Sequence, residues 1–187
     1  MGTEEPDIGI KTASKKPQRI LIADDDPDEL FVTSRILTKA GFLVERAESG
    51  LEAIEKVERF KPHILLLDVV MPDPDGFEVC RTIKKNPLYD DVAIVFVSNL
   101  SNTPQTKARG LDAGAEDFIE RPFHTEEFLS RINSILRVRL IEQKLREQQQ
   151  WMEVTLSSMG DGLVTTDEKK RIVSMNPVAE KLSGWSS

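Results

Sequence analysis

Short apolar runs alternate five times with amphipathic stretches between Arg19 and Leu136, and no other feature narrows the fold as far. A run of four to six apolar residues suits a strand buried on both faces of a parallel sheet, and parallel neighbours need a crossover long enough for a helix. The predicted strands are Arg19 to Ala23, Leu43 to Ala47, Ile64 to Leu67, Val92 to Val97 and Asp117 to Glu120, of which the first opens on Arg19 and the second and fifth carry charged residues. Ile64 to Leu67 (ILLL) has no polar member, which predicts a central strand. Helical spacing fills the gaps. A first helix is predicted from Pro27 to Ala40, capped by Asp26 with Pro27 at its first position and ending at Gly41. A second follows Ser49, with Leu51, Ile54 and Val57 on one side, and a third turns Phe77, Cys80 and Ile83 inward. The fourth is expected from about Gln105 to Ala113. Thr125 is expected to cap a last helix that opens on Glu126, Glu127 and Phe128 and meets no breaker for about 30 residues, against a mean of ~11–12. Right-handed crossovers place helices on both sides of one sheet.

The 187 residues carry 25 Lys and Arg against 32 Asp and Glu, a formal net charge of −7. Binding to nucleic acid draws on clustered cations. The densest pairs, Lys15-Lys16 and Lys84-Lys85, make no basic stripe, so no nucleic-acid partner is expected. No apolar run approaches the ~18 residues of a membrane span, and the first residues have no apolar secretory core. The one cysteine, Cys80, excludes an internal disulfide and a Cys-based zinc cluster, in keeping with a reducing cytoplasm. It reads as a small buried hydrophobe, and His63 and His124 as structural or solvated. Residues 1–18 mix Pro, Gly, Ser, Thr and charge and read as a flexible leader.

The residue closing each run is polar: Asp24 and Asp25 after the first, Asp68 after the third, Ser98 after the fourth, Arg121 after the fifth. In such a sheet the carboxyl ends of the strands line the ligand crevice. Singly, each has a plain reading. The Asp triplet before Pro27 suits helix capping, Asp68 ends a strand, Ser98 is a loop hydroxyl and Arg121 a surface cation. Jointly they share one edge, where three carboxylates repel each other and raise the pKa of at least one unless a cation joins them. Mg²⁺ answers that need, because it takes carboxylate oxygens, a backbone carbonyl and waters and leaves room for a phosphate oxygen.

The segments ILIADDDPDEL, ILLLDVVMPDPDG, VAIVFVSN and GAEDFIERPF resemble the receiver domain of two-component response regulators, from about Arg19 to Leu136. The resemblance implies an α/β fold, a flavodoxin-like doubly wound five-stranded parallel sheet of order 2-1-3-4-5, with an extended C-terminal helix. It implies Asp68 as the phosphoacceptor, attacking a phosphohistidine on a sensor histidine kinase or phosphotransfer protein. Asp25 is then a direct Mg²⁺ ligand and Asp24 one mainly through water, with Asp68 and the Val70 carbonyl completing the protein's share. Ser98 and Arg121 serve the phosphoryl group, Phe118 is the aromatic switch that turns inward as Ser98 moves, and the bond before Pro122 is cis.

The family carries Lys where this chain has Arg121. Arg keeps the charge, but its planar guanidinium is wider and prefers a two-pronged approach. The alternative that this departure favours is a pseudo-receiver, a phosphorylation-independent interaction and dimerisation module. A phosphohydrolase resembling the haloacid dehalogenases needs a second acid two residues past its nucleophile, where this chain has Val70, so no turnover enzyme is expected. Val70 and Leu100, each two positions beyond a site residue, cannot orient an attacking water, which predicts slow loss of the phosphoryl group.

Further on, Val138, Ile141, Leu145, Met152 and Met159 alternate by threes and fours, with Gln148 and Thr155 in the remaining places of an a/d seam. A homodimer through residues 138–159 is the functional expectation, and a helix packed on its own domain the plainer one. From Gly160 the order of strand, turn at Asp167 to Lys170, strand, and a helix opened by Asn176-Pro177 is similar to the beginning of a PAS sensor domain. The expected organisation is thus a leader at 1–18, a receiver at 19–136, a helical linker at 137–159 and a truncated PAS start at 160–187.

Overall fold

The computed structural model describes residues 17–72, 74–99, 104–158 and 160–185 and divides into two compact units between Leu136 and Arg137. The first unit follows the alternating pattern in order. It contains β1 (Arg19–Ala23), α1 (Pro27–Lys39), β2 (Leu43–Ala47), α2 (Gly50–Phe60), β3 (Ile64–Leu67) and α3 (Gly76–Lys84). These are followed by β4 (Ala93–Ser98), α4 (Pro104–Asp112), β5 (Asp117–Glu120) and the start of α5 (Thr125–Ser158). All four strand pairs are parallel, in the order β2-β1-β3-β4-β5, as the resemblance implies.

The apolar strands separate two layers of core. Leu21, Leu65, Leu67, Ile94 and Phe96 face α2 and α3, meeting Ala53, Val57, Phe77, Cys80 and Ile83. Ile20, Ile22, Ile64, Leu66 and Val95 face the opposite way, meeting Leu30 and Leu37 of α1 and Phe128 and Ile132 of α5. Every residue of β3 is buried, which explains why that strand has no polar member. The helix starts follow from capping chemistry: Asp26 accepts from Asp28 N–H at 2.9 Å, Ser49 from Glu52 N–H at 3.2 Å and Asp75 from Glu78 N–H at 2.8 Å.

Several sequence-based boundaries shift for local reasons. α1 ends at Lys39, with Ala40 as its cap and Gly41 turning the chain at φ +91°. β4 runs one residue later than expected because Ala93 pairs with Ile64 and Ser98 with Glu120, so Ser98 is the last strand residue. α4 begins at Pro104 and ends at Asp112. Leu51, expected on the inner side of α2, is 61% exposed, because the buried stripe runs through Gly50, Ala53 and Val57. Thr125 is the first helical residue of α5, and Phe128 N–H bonds the His124 carbonyl at 3.0 Å, so His124 takes the cap place. A 3-10 turn at Pro87–Tyr89, capped by Asn86, had no apolar period to announce it. Cys80 is buried and its Sγ lies 3.2 Å from the Ala113 carbonyl; burial pushes its thiol up to about 11. His63 Nδ1 accepts from Arg19 N–H at 2.9 Å, a structural role, and burial lowers its pKa.

The second unit holds the distal part of α5, the antiparallel pair β6 (Val164–Thr166) and β7 (Ile172–Met175), and α6 (Pro177–Ser183). Buried Asn176 ties it together. Its Oδ1 accepts from Leu163 and Ala179 N–H, both at 2.9 Å, and its Nδ2 donates to the Leu156 and Asp161 carbonyls at 3.0 and 2.9 Å.

Phe96 is fully buried between Phe77 and Phe118, at ring-centroid distances of 5.0 and 6.2 Å. Phe96→Ala should therefore lower the unfolding free energy of the first unit by about 3–5 kcal/mol. In urea titrations the exposed-site control Phe31→Ala should stay within about 0.5 kcal/mol of wild type.

Candidate functional site

Four strands deliver polar side chains to one edge because the hydrogen-bond ladder continues one residue past their apolar runs. Asp24 N–H bonds the Ala47 carbonyl at 3.1 Å, Asp68 N–H the Ala23 carbonyl at 2.8 Å, and Arg121 N–H the Ser98 carbonyl at 3.1 Å. Asp24, Asp68, Ser98 and Arg121 are all buried, while Asp25 is exposed. One oxygen from each of Asp24, Asp25 and Asp68 lies within 4.8 Å of the other two.

A glycine sets the depth of the loop that carries Asp68. A Cβ on Gly76 would lie 2.1 Å from the Asp68 carbonyl oxygen and 2.9 Å from Val69 Cα, contacts that no side chain tolerates. The close approach brings Gly76 N–H to the Val69 carbonyl at 3.1 Å. Asp68 Oδ2 then accepts from Val70 N–H at 2.8 Å, and the Ser98 hydroxyl also bonds the carboxylate.

The Asp68 pKa is raised. Burial is the chief cause and the charge of Asp24 adds to it, against the opposing hydrogen bonds from Ser98, Val70 and Val69. Asp24 has both oxygens engaged: Oδ1 accepts from Asp26 N–H at 3.0 Å and Oδ2 from Arg121 Nη1 at 2.8 Å. Arg121 Nε lies 3.3 Å from Glu29 Oε2, but its N–H is not aligned on that oxygen. The contact is Coulombic, and among the described residues this buried donor makes no hydrogen bond, a deficit of about 1–3 kcal/mol.

All the sequence-predicted residues that the structure describes therefore meet at one edge or beside it. Phe118 is 9% exposed with its ring against Phe96, on the inner side, and the Arg121–Pro122 bond is cis. Val70 presents an apolar side chain, 58% exposed, next to the carboxylates; Leu100 lies outside the described residues. Sequence reasoning missed Glu29. Its position in the first turn of α1 made it look like a favourable helix-start charge, and only the sheet's closure onto α1 shows it beside Arg121. The oxygen-rich donor set, with one carboxyl held above its ordinary pKa chiefly by burial and further by a neighbour of like charge, fits a hard divalent cation. Asp24, Asp25 and Asp68 are the residues that would hold it.

Residues 20–133 match the model of the response regulator receiver domain. The chain is 43% identical over 119 residues to the response regulator MprA of Mycobacterium leprae, covering 64% of this chain and 51% of that protein. It is 34% identical over 119 residues to the DNA-binding dual master transcriptional regulator RpaA of Synechocystis, covering 64% and 49%. The chain thus spans about half the length of the curated relatives it matches. A crystal structure of a CheY-like response regulator receiver domain protein from Methanospirillum hungatei superposes with a TM-score of 0.63 at 29% identity, covering 67% of this chain and 98% of that one.

A raised Asp68 pKa means that folding favours the protonated carboxyl, so its contribution is present at pH below the unfolded-state value and lost as pH rises through the folded-state value. In EDTA at neutral pH, Asp68→Asn should therefore melt at a higher temperature than wild type. Differential scanning calorimetry should show the gap shrinking as pH falls from neutral through the raised folded-state value and levelling off below the unfolded-state value of ~4.

Proposed function

The chain belongs to the response regulator receiver family, and from that premise we propose that it accepts a phosphoryl group on Asp68 from a histidine kinase or phosphotransfer protein. The ionised Asp68 carboxylate attacks phosphorus; a P–O bond forms as the P–N bond to the donor histidine breaks, and its electron pair returns to the imidazole. Mg²⁺, when bound by Asp24, Asp25, Asp68 and the Val70 carbonyl, neutralises charge on the phosphoryl oxygens. Ser98 donates its hydroxyl to one of those oxygens, and Arg121 leaves Asp24 to pair with another. The observation that carries this reading is the convergence of three carboxylate oxygens within 4.8 Å around a buried Asp68, with Ser98 and Arg121 at the same edge. Phe118, packed against Phe96 on the strand that ends in Ser98, is the side chain that senses the change.

The product persists, because Val70 offers no group to orient a hydrolytic water. The module is then a switch and not a turnover enzyme, and its acidic surface disfavours nucleic acid even though RpaA is named as DNA-binding. Among the described residues no helix is long and apolar enough to cross a membrane. A cytoplasmic place, with Cys80 free, belongs to this reading. Incubation of the full chain with acetyl phosphate and Mg²⁺ should add one phosphate by intact mass, and Asp68→Asn should add none. The adduct should survive for minutes; decay within seconds would contradict the role given to Val70, and a phosphorylation-independent module would show no adduct at all.

For the second unit, the reading is a relay helix followed by the opening hairpin and helix of a PAS domain. Its seam residues Val138, Ile141, Leu145 and Met152 are 55–61% exposed, as a seam awaiting a second copy requires. Sedimentation at micromolar concentration should show a dimer that Ile141→Asp together with Leu145→Asp converts to monomer; a strict monomer before mutation refutes it.

A further inference from the structure

Arg121 is engaged from two sides. Asp24 Oδ2 meets Nη1 at 2.8 Å, and Glu29 Oε2 lies 3.3 Å from Nε. The Arg121 and Asp24 side chains are 6% and 4% exposed, and Glu29, at 34%, is the anchor nearer to solvent. A lysine ammonium is one compact charge that a single carboxylate can satisfy, whereas a guanidinium spreads its charge and donors over a plane. Asp24 answers one edge with a hydrogen bond, and Glu29 faces the other as a Coulombic partner. Asp24 Oδ1 accepts from Asp26 N–H and Oδ2 from Arg121, so a divalent cation that takes Oδ2 competes with Arg121 for it. Once Asp24 is drawn away, Glu29 is the acid left facing the guanidinium.

We propose that Glu29 is a positioning residue for the phosphoacceptor site: it holds Arg121 by the Nε edge so that Asp24 can pass to a divalent cation without expelling the guanidinium. This makes arginine serviceable where the family carries lysine, and it rests on the phosphoacceptor reading of the site. Glu29 belongs to neither the three-carboxylate cluster nor the hydrogen bonds of Asp68. It acts through Arg121. Without it the guanidinium clings to Asp24 alone, and the cation has more to displace.

Calorimetric titration of the full chain with MgCl₂ tests the anchor in wild type, Glu29→Gln, Arg121→Lys and the double variant. Glu29→Gln should weaken Mg²⁺ binding by about three- to tenfold when Arg121 is present, and by less than about twofold in the Arg121→Lys background. Equal weakening in both backgrounds would reduce Glu29 to general acidity, and no weakening beside Arg121 would remove the anchor; either overturns the proposal. Thermal melts in EDTA verify that all four proteins fold. Acetyl phosphate labelling of the same set separates the two ideas. A wild type that binds Mg²⁺ with the expected coupling but takes no phosphate defeats the phosphoacceptor reading alone, whereas labelling without coupling defeats the anchor alone. A wild type that binds no Mg²⁺ defeats both.

Discussion

Asp24 and Asp68 are carboxylates buried at the end of a sheet whose central strand, β3, is wholly apolar, and the rest of the site follows from how their charge is met. Removing a carboxylate from water costs several kcal/mol unless a counter-charge or hydrogen bonds replace the lost solvent, roughly as for any buried ion. Asp24 meets that cost with the Arg121 guanidinium and a backbone N–H. Among the described residues Asp68 forms no ion pair; two backbone N–H groups and the Ser98 hydroxyl hold it, and its pKa rises because they do not fully offset its burial. The two acids therefore differ in kind. Asp24 is already neutralised, while Asp68 is left in want of positive charge at a solvent-facing edge.

That inequality is useful because a buried ion pair adds little to stability over apolar packing of the same volume, yet losing one partner leaves a costly isolated charge, about 3–5 kcal/mol. An edge built this way tolerates rearrangement of the charges and resists their removal. Arg121 is tied to the sheet by its backbone bond to Ser98 and to α1 by Glu29. Its guanidinium can thus change partners while its Cα stays in place. The fold contributes the fixed part: ladder bonds one residue past each strand, and a loop pressed against Gly76 so closely that no Cβ fits.

How much of this was legible in the sequence depends on whether one residue's surroundings come from its own strand or from another's. β3 has its predicted bounds because an apolar run names its own burial. The shared edge of Asp24, Asp68, Ser98 and Arg121 was legible because ending a strand is a one-dimensional property, and a common edge follows from parallel order. The one-residue shift of β4 was not legible, since Ala93 joins the ladder through its partner Ile64. Leu51 was misplaced because helical spacing leaves the phase of the buried stripe open, and the crowding of Gly50 against Pro74 and Val79 sets that phase. Glu29 was invisible for the same reason: nothing within α1 points to Arg121, which lies 92 positions further along the chain by subtraction of the two residue numbers.

The same strand that presents Ser98 also carries Phe96, two residues earlier and therefore on the same face of the sheet. Phe96 touches Phe118 on one side and Phe77 on the other, and Arg109 of α4 covers the Phe77 ring at 4.1 Å while pairing with Asp75 at 3.5 Å. Gly110 leaves room for this row, since a Cβ there would press on the Phe96 ring at 3.2 Å. Interiors packed at this density pass on displacement and do not absorb it. On the proposed reading, a Ser98 hydroxyl that leaves the Asp68 carboxylate for a phosphoryl oxygen would pull on a strand whose next inward side chain is wedged among rings, and Phe118 is the ring of the three nearest the surface. The polar edge and the aromatic row are two ends of one strand's inner face, so a charge change at the edge has a short, wholly packed route to the flank formed by α4 and β5.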